Sequence, residues 1–482
     1  MATQNENNSA SQCEEDIRGK LKQSVIANAG KQSVSASACC EERSKLDEAI
    51  SPKKTKSLKP KLRFNEFEGE WDLHILKNLI DKIGSGWSPK CLSYPAKKGE
   101  WGSLKTTSIS WQGYNPNENK KLPGKLEARK DIEVNKDDIL ITRVGPKDRV
   151  GVVVHVNKVW TKLMVSDNMF RLRLKGNINP AFVPLILGSN SVQKSWKNKI
   201  AGLASAQVVI NQGILFKTKL QLPSLPEQQK IANFLTAVDT KLQQLTTKKE
   251  RLAQYKKGVM QQLFSQQLRF KPDVIARTQD DVISPNETEF PDWEEKRLGE
   301  VFKIFNGYAF SSKDSTSEGV LWVKIADVGI QEMKNDSISF LPYSFLEKHK
   351  KFILEKGDYI LALTRPILNG KLKIARVNEF FSNSLLNQRV GKIVTENNKD
   401  FVYFLLQQDF LIKSIENNIA GSDPPNLSPS EINNLKVMIP ELKEQKKIAN
   451  YLSAIDLKIE AVQTQITKTQ AFKKGLLQQM FV

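Results

Sequence analysis

The sequence is poor in the residues that build most catalytic and metal centres. Its 482 residues include four cysteines and three histidines. The cysteines are Cys13, Cys39, Cys40 and Cys91, and no C-x-x-C pair occurs. A structural zinc site needs several Cys or His ligands at short spacings, so none is expected. The scarcity of thiols fits a reducing cytoplasm. No stretch approaches the roughly 18 apolar residues of a membrane-crossing helix. The first 30 residues are polar and hold no apolar core with a small-residue cleavage site, which argues against a secretory signal. Neither a G-x-x-x-x-G-K-[ST] phosphate loop nor a glycine-rich cofactor loop is found. His74, His155 and His349 are scattered, without the partners of a catalytic triad. Two segments imitate catalytic motifs only superficially. Ser422-Asp-Pro-Pro-Asn426 places Asn where an amino-methyltransferase needs an aromatic to stack on a flipped base. Pro291-Asp-Trp-Glu-Glu-Lys296 sets its carboxylates too close together for a nuclease metal site, and Trp293 reads as a domain-start anchor.

What the sequence has in excess is positive charge. The formal net charge is +20, of which residues 1–60 contribute only +2. The remaining body is basic enough to favour a polyanionic partner, and nucleic acid leads that class. Residues 1–60 are rich in Ser, Asn, Gln, Glu and Lys and are expected to form a disordered tail.

The dominant pattern is an internal repeat. Residues 222–265 align without gaps on residues 439–482, at an offset of 217. Glu227-Gln-Gln-Lys-Ile-Ala-Asn-Phe-Leu235 matches Glu444-Gln-Lys-Lys-Ile-Ala-Asn-Tyr-Leu452, and Lys256-Lys-Gly258 matches Lys473-Lys-Gly475. Both segments carry apolar residues at heptad spacing, after Pro223 and Pro440. The first seam holds Ile231, Leu235, Val238, Leu242, Leu245, Leu252, Val259 and Leu263, interrupted by Lys249 and Lys256. The second holds Ile448, Leu452, Ile455, Ile459, Val462, Ile466, Leu476 and Met480, interrupted by Lys473. Such a/d patterns predict coiled-coil helices. Two matched helices within one chain are able to pair with each other, and an antiparallel pair would carry the intervening domains to opposite ends.

The region before each helix mixes short β-branched runs with Gly, Asn and Pro turns, and helices are expected over 182–196 and 401–415. The fold class is therefore α+β: two mixed α/β domains separated by two long helices pairing as an antiparallel coiled coil. The expected divisions are a tail at 1–60, a first domain at 61–222, a central helix at 223–270, a linker at 271–288, a second domain at 289–439 and a distal helix at 440–482.

Residue types able to reach bases and phosphates cluster with turns in both domains. In the first these are Lys105, Thr106, Thr107, Ser110, Trp111, Arg143, Lys147, Arg149, Ser205 and Gln207. In the second they are Tyr308, Lys324, Asp327, Arg365, Lys371, Asn387, Gln388, Arg389, Ser422 and Asn426. Asp137-Asp-Ile-Leu-Ile-Thr-Arg143 and Gly357-Asp-Tyr-Ile-Leu-Ala-Leu-Thr-Arg365 look like counterparts.

A domain ending in Pro, then Glu-Gln-x-Lys-Ile-Ala-x-x-Leu, a heptad helix, Lys-Lys-Gly and Gln-Gln, all given twice, resembles the specificity subunit of type I restriction-modification systems. The resemblance covers roughly residues 61–482 and leaves the 60-residue tail outside it. It implies two target-recognition domains that each read one half of a split, asymmetric double-stranded DNA site, with the helix pair setting the gap. It implies partners: two methyltransferase subunits and two restriction (helicase-nuclease) subunits. S-adenosylmethionine, ATP and Mg are then expected on those partners, with no cofactor, metal or catalytic residue on this chain. A stand-alone DNA-binding coiled-coil scaffold, or the specificity component of a related methyltransferase system, is the alternative. A self-sufficient methyltransferase is a third, disfavoured by the absent cofactor loop.

Overall fold

The structure, a computed structural model, describes residues 59–160, 162–200, 207–272, 289–419 and 425–481. The tail expected at 1–60 lies almost wholly outside the described residues, as does most of the expected linker at 271–288. No helix among the described residues is long and apolar enough to cross a membrane.

Each half repeats one plan. In the first, an antiparallel sheet runs in the order Ile80–Ser85, Met169–Leu174, Ile139–Thr142, Val153–His155. In the second, Lys303–Asn306, Val390–Val394, Tyr359–Ala362 and Ile374–Arg376 follow the same order. A smaller sheet flanks each, built on a parallel pair: Gly102–Leu104 with Leu163–Met164, and Val320–Val323 with Ser384–Leu386. A two-stranded ribbon closes each domain by joining its first strand to its last. Asp72–Ile75 pairs with Lys219–Leu222, and Glu294–Arg297 pairs with Lys436–Ile439.

The helices expected over 182–196 and 401–415 are each two helices. Phe182–Leu187 is followed by Asn190–Ile200, and Lys399–Leu405 by Asp409–Ile419. The breaks satisfy their own backbone groups. Gly188 N–H returns to Pro184 O (2.9 Å), and the Gln407 and Gln408 side chains donate to Tyr403 O and Phe404 O (3.0 Å each). Apolar periodicity continued through both breaks, so pattern alone did not show them.

From each ribbon the chain enters a long helix, Leu225–Phe264 of 40 residues and Leu442–Met480 of 39. Pro226 fills the first turn of the central helix, where its missing N–H costs nothing. Contacts between the two helices run in opposite order along them. Lys473 reaches Asp239, Lys249 reaches Gln463 (2.7 Å), Lys256 reaches Asp456 (2.7 Å) and the Tyr255 and Tyr451 hydroxyls meet at 2.6 Å. The lysines that interrupt the apolar seam thus each bond a polar group on the facing helix. Leu245, Val462 and Ile466 form the mid-helix core, with Leu242 and Leu252 packed on it.

Each domain rests on the start of one helix and the end of the other. Ile231, Ala232 and Leu235 join Leu476, Met480 and Phe481 in the first core. Val259, Met260 and Leu263 join Ile448, Ala449, Leu452 and Ile455 in the second. A short repeat completes this symmetry. Leu268-Arg269-Phe270 follows the central helix, with Leu268 N–H bonded to Gln262 O (3.1 Å) and Phe270 on Tyr451. Leu62-Arg63-Phe64 takes the matching place at the distal helix, with Leu62 N–H bonded to Gln479 O (3.0 Å) and Phe64 on Phe234. Three residues are too few to be seen as a repeat in sequence; geometry identifies them.

Candidate nucleic-acid interface

The repeated Glu-Gln of the two helices is a lock between helix and domain. Glu227 is 1% exposed; its carboxylate accepts from Arg63 (2.7 and 2.8 Å) and from Trp71 Nε1 (3.3 Å). Glu444 is fully buried and accepts from Arg269 (2.8 and 3.2 Å) and Trp293 Nε1 (3.1 Å). Bonding to these carboxylates raises the pKa of both guanidiniums. The adjacent glutamines act likewise. Gln228 donates to Pro223 O and accepts from Asn179 N–H, while Gln445 donates to Pro440 O and accepts from Asn398 N–H. The locks fix each domain to its helix.

Within each domain a second set of matched residues shapes one edge of the main sheet. Buried Asp138 accepts from Asn135 N–H (2.8 Å) and pairs with Arg173 (2.8 Å). Buried Asp358 accepts from Glu355 N–H (2.9 Å) and pairs with Lys392 (2.7 Å). At the far end of these strands a glycine lets two backbones touch. A Cβ on Gly86 would lie 1.8 Å from Val165 O, and one on Gly307 would lie 2.2 Å from Leu386 O. The following residues, Trp87 and Tyr308, donate their N–H to those same carbonyls (2.9 Å each).

This edge gathers several of the residues expected to contact DNA. In the second domain Gln388 N–H bonds Tyr308 O (3.0 Å), Leu363 N–H bonds Arg389 O (2.9 Å), and Arg365 N–H bonds Pro425 O (2.8 Å). Asn426 bridges Thr364. Arg365, Gln388, Arg389 and Asn426 are exposed, and Tyr308 is 43% exposed. In the first domain, Arg143 N–H bonds Asn168 O (2.9 Å), Ile210 N–H bonds Arg143 O (2.8 Å), and Val208-Val209 pairs with Gly145-Val144. Exposed Gln207 directly precedes this pairing strand, and the Arg143 guanidinium lies 4.9 Å over Phe170. The sheet registers make Thr142 the equivalent of Ala362, so Arg143 faces the place of Leu363 and not of Arg365. The second loop is one residue longer, and its Thr-Arg lies two residues further along it.

Other expected residues are engaged within the fold. Lys105 and Thr107 both bond Glu118 (3.4 and 2.7 Å), and Thr106 O and Ile109 O take the Arg149 guanidinium (3.3 and 3.5 Å). Ser110 donates to Gly113 O, and Trp111 and Lys147 stand exposed. Asp327 is buried and accepts from Lys324 N–H (2.8 Å); burial raises its pKa. Lys324 Nζ reaches Ser339 (2.9 Å) and the Trp322 ring, Lys371 pairs with Asp409 (3.1 Å), and Asn387 Oδ1 accepts from Arg389 N–H (3.0 Å). Ser205 and Ser422 lie outside the described residues. Trp87, Gly86 and Gly307 were not singled out from sequence. A Gly-aromatic pair following the first sheet strand, at an offset of 221, is the signal that marks them.

No cluster of His, Cys, Asp or Glu among the described residues is arranged to hold a metal ion. The sequence profile described as "Type I restriction modification DNA specificity domain" matches residues 93–254 and again 291–469. The MjaVIII type I restriction enzyme specificity subunit of Methanocaldococcus jannaschii is 29% identical over 358 residues, which is 73% of this chain and 79% of that one. The putative MjaX specificity subunit of the same organism is 26% identical over 434 residues, covering 86% and 94%. The EcoEI specificity subunit of Escherichia coli is 35% identical over 163 residues, covering 33% and 27%. Among solved structures, the type I restriction-modification S subunit of M. genitalium aligns with a TM-score of 0.55 at 18% identity, over 88% of this chain and 99% of that one, which shows a shared fold.

Proposed function

Because the chain belongs to the type I restriction-modification DNA specificity subunits, a non-catalytic family that recognises DNA sequence, we propose that it reads a bipartite, asymmetric double-stranded site. Each of its two α+β target-recognition domains reads one half, and the antiparallel coiled coil between them sets the gap. The observation that carries this reading is an internal contrast. The frame is matched in both halves: Glu227 and Glu444, Asp138 and Asp358, Gly86 and Gly307. The exposed edge is not: Asn168 stands where the other half has Arg389, and Val209 where it has Asn426. Two different half-sites require that combination. A 40-residue helix spans ~60 Å, enough to set half-sites one duplex turn, ~34–36 Å, apart with room for domain bulk.

The matched helix starts and ends offer two equivalent faces, and two methyltransferase subunits docking there would supply S-adenosylmethionine and methylate adenine. Two restriction subunits using ATP and Mg would complete the nuclease, in the cytoplasm. Exchanging residues 61–221 for those of the MjaVIII subunit is expected to change one half of the methylated motif and leave the other half and the gap intact. Methylome sequencing checks this; a change in both halves would contradict the division of labour. DNA affinity is further expected to fall steeply between about 50 and 200 mM salt, by orders of magnitude if several phosphates are contacted. A scaffold that binds only protein would show no salt-sensitive DNA binding in a fluorescence-anisotropy titration.

A further inference from the structure

Each recognition domain packs a nitrogen-bearing side chain against the aromatic residue that follows the close-contact glycine. In the first, the Arg129 guanidinium lies 4.5 Å from the Trp87 ring centroid. In the second, the His349 ring lies 4.4 Å from Tyr308. The two pairs are equivalent by construction. Arg129 immediately precedes the short helical turn Lys130–Ile132, and His349 precedes Lys350–Phe352. Trp87 and Tyr308 occupy the same step beside Val165 and Leu386. Arginine and histidine share little but hydrogen-bonding nitrogens in a flat, delocalised group, and each lies against a ring here, the imidazole tilted by 42°.

Those nitrogens are unengaged. Among the described residues, neither the Arg129 guanidinium nor the His349 imidazole has a hydrogen bond or ion pair, unlike Arg63, Arg149 or Arg269. We infer that Arg129 and His349 are specificity-determining residues of the two domains, each presented on its ring to the edge of a purine in its own half-site. Trp87 and Tyr308 are then positioning residues. A guanidinium whose plane is fixed by stacking suits the paired O6 and N7 acceptors of guanine, whereas phosphate contact needs only a point charge. A phosphate contact would also be served by the same residue in both halves, and the halves differ here. The neighbouring Lys130, Lys350 and Lys351 are suited to phosphates flanking such a contact.

This inference rests on the proposed bipartite recognition, and the test separates the two. The full chain is expressed with its host's methyltransferase subunit, and methylated genomic motifs are read by single-molecule sequencing. Arg129→Lys keeps the charge and removes the fork; His349→Phe keeps the ring and removes the nitrogens. Arg129→Lys is expected to lower preference at one base pair of the first half-site on the order of tenfold, leaving the second half unchanged. His349→Phe does the reverse, and Trp87→Leu and Tyr308→Leu relax the same positions as their partners. Melting temperatures of Arg129→Lys and His349→Phe stay at the wild-type value. An unchanged motif, uniformly weaker methylation with the motif intact, or lost methylation accompanied by a lower melting temperature would each overturn the inference. A wild-type chain that yields no split motif would remove the recognition reading and this inference with it.

Discussion

Replacing Glu444 by Ala is expected to destabilise the protein by about 3–5 kcal/mol, the range for removing one partner of a buried ion pair. The carboxylate is fully buried and takes both the Arg269 guanidinium and the Trp293 indole N–H. Without it, the Trp293 indole N–H loses its acceptor in the core and Arg269 keeps only Phe290 O, Pro291 O and Asp292, so part of the lost hydration goes uncompensated. Glu227→Ala should cost a similar amount through Arg63 and Trp71. Hydrogen exchange separates the two sites, because each lock holds a different domain. Glu444→Ala should raise exchange first around Trp293 and strand Lys436–Ile439, and Glu227→Ala around Trp71 and Lys219–Leu222. A loss below about 1 kcal/mol in either, measured by chemical denaturation, would show that the locks do not secure the domains.

Gly307→Ala is the second large effect. Its Cβ would sit 2.2 Å from Leu386 O, a backbone atom unable to swing away as a side-chain tip would. The two segments must separate, stretching the bonds Tyr308 N–H to Leu386 O and Gln388 N–H to Tyr308 O (2.9 and 3.0 Å). Overpacking of about 1–3 kcal/mol and about 1 kcal/mol for each of the two weakened bonds give roughly 3–5 kcal/mol. Gly86→Ala is expected to match it in the first domain, where the clash is with Val165 O at 1.8 Å. Gly84→Ala, with open space around its Cβ, is the control and should stay near wild type. Both clashing variants displace the edge that carries Tyr308 or Trp87, so each should weaken reading of one half-site more than the other. Equal weakening of both halves would contradict the placement of the edge.

The legible features were those with local periodicity. Ile231 through Leu263 and Ile448 through Met480 repeat every seven residues, and that period is a property of one helix needing no knowledge of its partner. The lysines in the seam read as interruptions, because Asp239, Asp456 and Gln463 lie 200 or more residues away in sequence. The Glu-Gln of the repeated motif was visible, but not its task. Glu227 looks like any acidic residue in a first helical turn until Arg63 and Trp71 are brought to it. The site was less legible than the fold. Thr142-Arg143 and Thr364-Arg365 look equivalent in sequence, yet the strand registers offset them by two residues. Asp327 and Arg149 have the chemistry of DNA contacts, and their bonds within the fold, to Lys324 N–H and to Thr106 O, were not visible in sequence. Trp87 drew no notice in sequence, since its contact with Arg129 depends on a segment 42 residues further along.

The claim that two reading domains are held at a set distance by the paired helices is tested most directly by shortening both helices together. Residues 243–249 and 460–466 are equivalent by the 217-residue offset and contain the mid-helix core of Leu245, Val462 and Ile466. Deleting both heptads preserves the apolar register and draws the domains together by ~10 Å at ~1.5 Å per residue. At ~3.4 Å per base pair that corresponds to about three base pairs. Single-molecule methylome sequencing of the variant, expressed with its methyltransferase subunit, should find both half-sites unchanged and the gap about three base pairs shorter. A motif whose gap keeps its original length would contradict the account.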